Sequence, residues 1–251
     1  MKIYDAFTFY NETEILALRL KELNDKVDRF YVVEGDCTFT GRPKSVYFED
    51  TDLSRLYEDK ITSIKCELTS KDPWNNEIHQ RNTIGTIDYG DANSLVIISD
   101  VDEIPNMDTV LKLDPRDLPV QLDVTQYFWN LNWQVPQHCN QGARPVVALA
   151  RHLSVYTPQE LRASTDLRRI ENGGWHFSFF GETTKNQNKI ESFAHTEYNL
   201  PEYKDAKAIQ YRIDNGIDPF DRFPLKYTEI DETYPASFSR EQNTRRPHRR
   251  D

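Results

Sequence analysis

Apolar positions along the first hundred residues alternate between two periods, and each change of period marks an element. Ile3–Phe9 (IYDAFTF) is dense in aromatic and β-branched residues and predicts a strand. Asn11 followed by Glu14 has the spacing of a helix capping box, and Leu16, Leu20, Leu23 and Val27 then recur at helical intervals. Residues 28–34 (DRFYVVE) predict a second strand. Strand, helix and strand in succession form a βαβ unit, so the two strands should run parallel with a right-handed crossover. A polar loop at 35–44 follows. Residues 53–59 predict a short helix, Ile61–Cys66 a third strand, and 74–89 (WNNEIHQRNTIGTIDY) a long helix stopped by Gly90. The unbroken apolar run at 95–98 suits a strand covered on both faces.

The second half loses that rhythm. Residues 121–133 and Val146–Leu149 predict further strands, and Thr157 with Glu160 forms another capping box, with Pro158 at the first helical position. Gly173 and Gly174 predict a turn into a strand over 175–180. Helices are expected at 189–195 and at 202–215, the latter stopped by Gly216. The pattern predicts an α/β fold of three layers: a mostly parallel central sheet between helices, with a more irregular C-terminal half. One domain over 1–234 is expected, followed by a polar, basic-ended tail over 235–251 with too little apolar surface to order itself.

Composition narrows the partners. A net charge of −10 and a pI near 5.2 disfavour nucleic-acid binding. The three cysteines, Cys37, Cys66 and Cys139, are scattered without metal-type spacing, as expected for reduced thiols. No stretch is long and apolar enough to span a membrane, and the chain enters a strand at once with no signal-peptide pattern, so a cytoplasmic protein is expected.

Candidate chemistry collects where the apolar run at 95–98 ends, in Ser99, Asp100, Val101, Asp102 and Glu103. In open α/β sheets ligands bind beyond the carboxyl ends of the strands. Asp100 and Asp102 project to the same side of an extended backbone, and two like charges held together call for a cation. Oxygen-only ligands suit Mg²⁺ or Mn²⁺. An acidic turn capping a strand would leave the same pattern.

The wider context is more specific. The run DAFTFYNETEILALRLKELNDKVDRFYVVEGDCTFTGRPK, then QRN, LVIISDVDEIP, GGWHFSFFG and SFAHTEYN in order, resembles glycosyltransferase family 17, which includes the β-1,4-mannosyl-glycoprotein 4-β-N-acetylglucosaminyltransferases. The resemblance implies a GT-A-type fold, a UDP-sugar donor, with UDP-GlcNAc foremost, and metal-dependent inverting transfer of the sugar to a glycan hydroxyl. Asp100 and Asp102 would then hold the divalent ion, with His176 or His195 as a third ligand. A single displacement needs a base for the acceptor hydroxyl, and Glu197 is the first candidate, with Glu103 and Glu171 behind it.

Donor contacts are expected from loops after the first two strands: Phe9, Asn11 and Glu12, then Glu34, Thr38, Thr40, Gly41 and Lys44, with Arg81 also meeting phosphate. Ser178 would share a strand face with His176. Trp129, Trp133 and Trp175 are candidates to stack on sugar, although the alternation of Tyr127, Trp129, Leu131 and Trp133 suits a core, so at most one is expected to touch the acceptor. Two other readings share the donor site or the D-x-D. One is a nucleotide-sugar-binding module without catalysis. The other is a haloacid-dehalogenase-type phosphatase, whose aspartates normally follow the first strand and not the fourth.

Overall fold

The computed structural model describes residues 1–140, 144–235 and 237. Its first half is β1 (Ile3–Phe9), α1 (Thr13–Leu23), β2 (Arg29–Gly35), α2 (Asp52–Leu56), β3 (Ile61–Cys66), α3 (Pro73–Thr83) and β4 (Leu95–Asp100). The second half adds β5 (Glu103–Pro105), α4 (Met107–Val110), β6 (Val120–Phe128), β7 (Trp133–Gln134), β8 (Val146–Leu149), α5 (Pro158–Ala163), β9 (Arg169–Ser178), α6 (Thr183–Ser192), α7 (Pro201–Lys204), α8 (Ala206–Asn215) and β10 (Lys226–Tyr227).

The first four strands lie parallel in the order β3-β2-β1-β4. The chain therefore runs outward from β1 to β3 and returns on the other side of β1, which makes the gap between β1 and β4 a topological switch point. β8 then pairs antiparallel with β4, β6 antiparallel with β8, and β9 parallel with β6. This is the expected α/β architecture, parallel in its first half and irregular in its second.

Period-two alternation explains the two main cores. Phe7, Phe30, Val32, Leu95 and Ile97 point to the side covered by Leu16, Leu20 and Leu23 of α1. Their neighbours Ala6, Tyr31, Val33, Val96 and Ile98 point to the other side, where Ile84 and Leu161 cover them. A one-residue slip in any of these strands would exchange the two sets, so the register is strongly specified.

Several local expectations are corrected. Asn11 does not cap α1; Glu12 stands at the N-cap, and its carboxylate accepts the amides of Tyr10 and Asn11 at 3.3 and 3.1 Å. The strand expected over 121–133 breaks at Trp129, whose φ of 69° is left-handed. Gly173 and Gly174 make no turn. They lie inside β9, where a register shift against β6 falls between Leu122 and Val124. A Cβ on Gly174 would lie 2.2 Å from the Ile104 carbonyl oxygen, so only glycine fits at that crossing with β5. The helix expected over 189–195 runs instead from Thr183 to Ser192. Asp205 accepts the Ala208 amide and divides 202–215 into two helices.

Among the described residues no helix is long and apolar enough to cross a membrane. Of the expected tail, Pro235 is buried and the Ser237 amide donates to Glu22 at 3.0 Å; residues 236 and 238–251 lie outside the described residues.

Candidate active site

A cleft of about 230 Å³ opens at the carboxyl ends of β1, β2 and β4. Thr8, Phe9 and Tyr10 enter it from β1 and the turn after it, and Thr38 and Lys44 from the loop after β2. Gln80 and Arg81 come from α3, His176 and Ser178 from β9, and Lys189 from α6. Asp100 and Asp102 meet them where β4 ends.

The register of the sheet places each carboxylate. Thr8 sits opposite Asp100 across the β1–β4 ladder, and its hydroxyl donates to Asp100 Oδ1 at 2.8 Å. Asp100 is approached by Arg81 at 3.3 Å and by Arg162 of α5 at 3.0 Å. A turn after β4, and not a straight strand, brings Asp102 to the same cleft. β5, which the sequence pattern did not show, pairs Glu103 with His176, and the Phe177 amide donates to the Asp102 carbonyl at 2.8 Å. His176 Nε2 consequently stands 3.5 Å from Asp102, and Lys189 Nζ bonds the same carboxylate at 3.0 Å.

Burial alone would raise the pKa of both aspartates. The Arg162 and Arg81 guanidiniums outweigh it at Asp100, and Lys189 and His176 outweigh it at Asp102, so both carboxyls are held below the usual range and ionised. Burial would likewise depress His176, but Asp102 raises it above the ordinary histidine value. Lys189 is held charged by Asp102 and Glu12 against its own burial.

The floor beneath this charge cluster rests on Arg19, a residue of α1 that sequence reasoning missed. It is fully buried and paired with fully buried Asp5 at 2.6 Å. It also donates to Ser99 Oγ at 2.6 Å and to the carbonyls of Asp100, Val101 and Glu103 at 3.1, 3.2 and 2.8 Å. One guanidinium thereby holds the backbone of the whole acidic segment. Arg162, equally unforeseen, clamps Glu103 through both nitrogens at 2.5 and 2.8 Å while touching Asp100. The capping box at Thr157 located α5, but nothing in the pattern pointed to which of its residues faces the cleft.

The remaining candidates divide. Phe9, Lys44 and Arg81 line the cleft, with the Lys44 ammonium bonded to Glu34 and to the Ser45 carbonyl. Glu34 does not: it is fully buried, bound by Lys44 and by the amides of Tyr47 and Phe48 at 2.7 and 3.0 Å. Burial is what pushes its pKa up. Thr40 shares a bond with Thr38 and donates to the Glu191 carbonyl, fastening the loop to α6. Asn11 opens onto a small separate hollow with Lys185 and Asn186.

Glu103 is unsuited to be a base, because Arg162 and the Asp100 amide occupy its buried carboxylate. Exposed Glu171 lies on β9 away from the cleft lining. Glu197 is also absent from that lining and instead bonds His195 Nδ1 at 2.7 Å, while His195 lines the cleft. Neither nitrogen of His195 pairs with Asp100 or Asp102; among the described residues His176 is the histidine beside those carboxylates. The three candidate tryptophans are committed to the scaffold. Trp129, Trp133 and Trp175 donate their indole N–H groups to the carbonyls of Ile217, Ile213 and Thr233 at 2.7, 2.8 and 3.0 Å.

Comparison with known proteins supplies the context for this cleft. The sequence model of glycosyltransferase family 17 matches residues 1–235. No curated protein matches the chain. Among solved structures, a 4-diphosphocytidyl-2C-methyl-D-erythritol synthase is similar over 68% of this chain and 88% of its own, with 12% identity and a TM-score of 0.37.

Proposed function

We propose, from a chain that belongs to glycosyltransferase family 17, that the cleft at the end of β4 binds a UDP-sugar, UDP-GlcNAc foremost, and passes the sugar with inversion to a glycan hydroxyl. The observation that carries this reading is the meeting of Asp100 and Asp102 with Arg81, Lys189 and His176 at the switch point of the sheet. Mixed charge of this kind suits a diphosphate that arrives with its own cation.

The donor set fits Mn²⁺ or Mg²⁺ delivered with the nucleotide. Both aspartates are ionised and line the cleft, and His176 Nε2 adjoins Asp102. Among the described residues no group of three or more His, Cys, Asp or Glu is placed to hold an ion by itself. That agrees with hard cations that take one or two carboxylates from the protein and their other ligands from phosphate and water. When bound, the ion neutralises the charge that grows on the leaving diphosphate. Asp100 and Asp102 would hold it; His176, drawn toward its protonated form by Asp102, completes no three-residue ligand set with them among the described residues.

The chain's own groups do the rest. Arg81 and Lys189 bring fixed positive charge to the cleft, where developing negative charge on the leaving group is stabilised without reorganisation. Thr8 fixes the Asp100 carboxylate, and Arg19 fixes the backbone beneath it. A single displacement requires no enzymic nucleophile, in keeping with a cleft built of carboxylates and cations.

A panel of nucleotide sugars scored for Mn²⁺-dependent thermal stabilisation tests the reading, because a ligand at 100 times its Kd stabilises the folded state by about 2.7 kcal/mol. UDP-GlcNAc should raise Tm more than GDP- or CMP-sugars, with UDP giving much of the effect. A clear preference for a GDP-sugar would overturn the donor. Donor binding with no UDP release in the presence of any acceptor would favour a binding module.

A further inference from the structure

Trp74 is the tryptophan left over when the other three are assigned to the scaffold. It lies in the first turn of α3, is 40% exposed, and its indole N–H has no hydrogen-bond partner among the described residues. Its ring meets that of His195 edge to face, with centroids 4.5 Å apart and planes at 80°. His195 is held from two further sides. Phe193 lies 5.6 Å away on the same segment, and Glu197 Oε1 takes Nδ1 at 2.7 Å. Of the three, His195 lines the cleft, while Trp74 and Glu197 lie outside its lining and flank it through their contacts with His195.

That arrangement has a definite chemical sense. A carboxylate can only accept, so Nδ1 donates to Glu197 and Nε2 is the ring nitrogen that this pair leaves unclaimed. Burial, the largest single influence on Glu197, raises its pKa, and the hydrogen bond from His195 with the smaller influences beside it outweighs that and leaves it lowered. An exposed indole beside that base offers the flat apolar surface on which the C–H face of a pyranose can lie.

We propose that Trp74, His195 and Glu197 form the acceptor subsite of this cleft: a pyranose of the acceptor lies on Trp74, His195 takes the proton of its attacking hydroxyl, and Glu197 orients the imidazole. The inference rests on the transferase reading given above. In the step itself, the acceptor O–H proton passes to His195 Nε2 and the oxygen lone pair forms the new bond to the anomeric carbon. The bond from that carbon to the phosphate oxygen breaks, and its electron pair leaves with UDP. The proton on His195 then passes to water. His195 is thus a catalytic residue and Glu197 a positioning residue, where the sequence made Glu197 the candidate base and His195 a candidate metal ligand.

The test uses the full chain with UDP-GlcNAc, Mn²⁺ and a set of p-nitrophenyl pyranosides as acceptor probes. Transfer, UDP release without acceptor, and UDP affinity by calorimetry are measured together. Trp74→Ala should raise the acceptor KM about tenfold with little change in kcat. His195→Ala should lower kcat by roughly two to four orders of magnitude, and added imidazole should restore part of it. Glu197→Gln should lower kcat about tenfold or more, and UDP affinity should stay at the parent value in all three variants.

An unchanged KM in Trp74→Ala, or transfer by the parent to none of the pyranosides while it binds donor, would overturn the platform. Normal turnover in His195→Ala, or no rescue by imidazole, would overturn the base. Loss of UDP affinity in His195→Ala would place it on the donor side. A parent chain that binds no nucleotide sugar at all would instead overturn the transferase reading, which keeps the two failures distinct.

Discussion

Replacing Arg19 by Met removes the guanidinium that holds the backbone of the acidic segment, and the structure allows its cost to be divided. Arg19 makes six hydrogen bonds: two to Asp5, one to Ser99 and three to the carbonyls of Asp100, Val101 and Glu103. It also lies over the Phe7 ring at 4.4 Å. Because Arg19 and Asp5 are both fully buried, the single variant strands a carboxylate in the core and should lose about 3–5 kcal/mol. Urea unfolding measures this directly. The double variant Arg19→Met with Asp5→Val replaces the pair by apolar groups and should recover most of that loss, since buried ion pairs and apolar replacements are often of similar stability. Activity should not follow stability. The three carbonyls still lack their donor in the double variant, so transfer should remain roughly 10–100-fold below the parent. A double variant that is both stable and fully active would refute a positioning role for Arg19. A single variant that loses less than about 1 kcal/mol would refute the argument from a stranded charge.

Three further outcomes are expected. Asp102→Asn should nearly abolish transfer while leaving far-UV circular dichroism unchanged, because the residue lies at the cleft and not in the apolar core; undiminished transfer in that variant, or in a chelator, would contradict it. Gly174→Ala should cost about 2 kcal/mol or more in urea unfolding, since its φ is 146° and the new Cβ would meet the Ile104 carbonyl at 2.2 Å; an unchanged midpoint would contradict the close crossing of β5 and β9. Burial pushes the Cys66 thiol up to about 11, so iodoacetamide at about pH 8 should leave it unmodified in the folded chain by mass spectrometry, and modification as fast as after denaturation would contradict this.

What was legible in the sequence follows from the range over which each interaction acts. The strands and helices of the first half are announced by local periodicity, and β1, β3 and the start of β4 lie where the pattern puts them. β5 is only three residues long and exists because β9 pairs with it from some seventy residues on, as Glu103 opposite His176 shows. The same distinction runs through the cleft. Asp100 and Asp102 could be found because a strand ends beside them, and Arg81 and Lys44 because they sit in the helix and loop that must border it. Arg19, Arg162 and Lys189 could not, since each is paired across the fold; Lys189 meets Asp102 at a separation of 87 residues. Glu34 shows the converse limit, whereas the tryptophans follow the expectation that most of them belong to the core. Residue type suited both to ligand contact, but Glu34 closes a loop through two backbone amides and three indoles satisfy distant carbonyls.

In the function proposed above, Asp100 and Asp102 make the end of β4 a metal-assisted site for a UDP-sugar. UDP-GlcNAc titrated calorimetrically into the parent chain and into Asp102→Asn, each with Mn²⁺ and with a chelator, decides whether they do. The parent should bind saturably with Mn²⁺, and at least tenfold more weakly when either the ion or the Asp102 charge is removed. Equal affinity in all four titrations, or no binding in any, would contradict it.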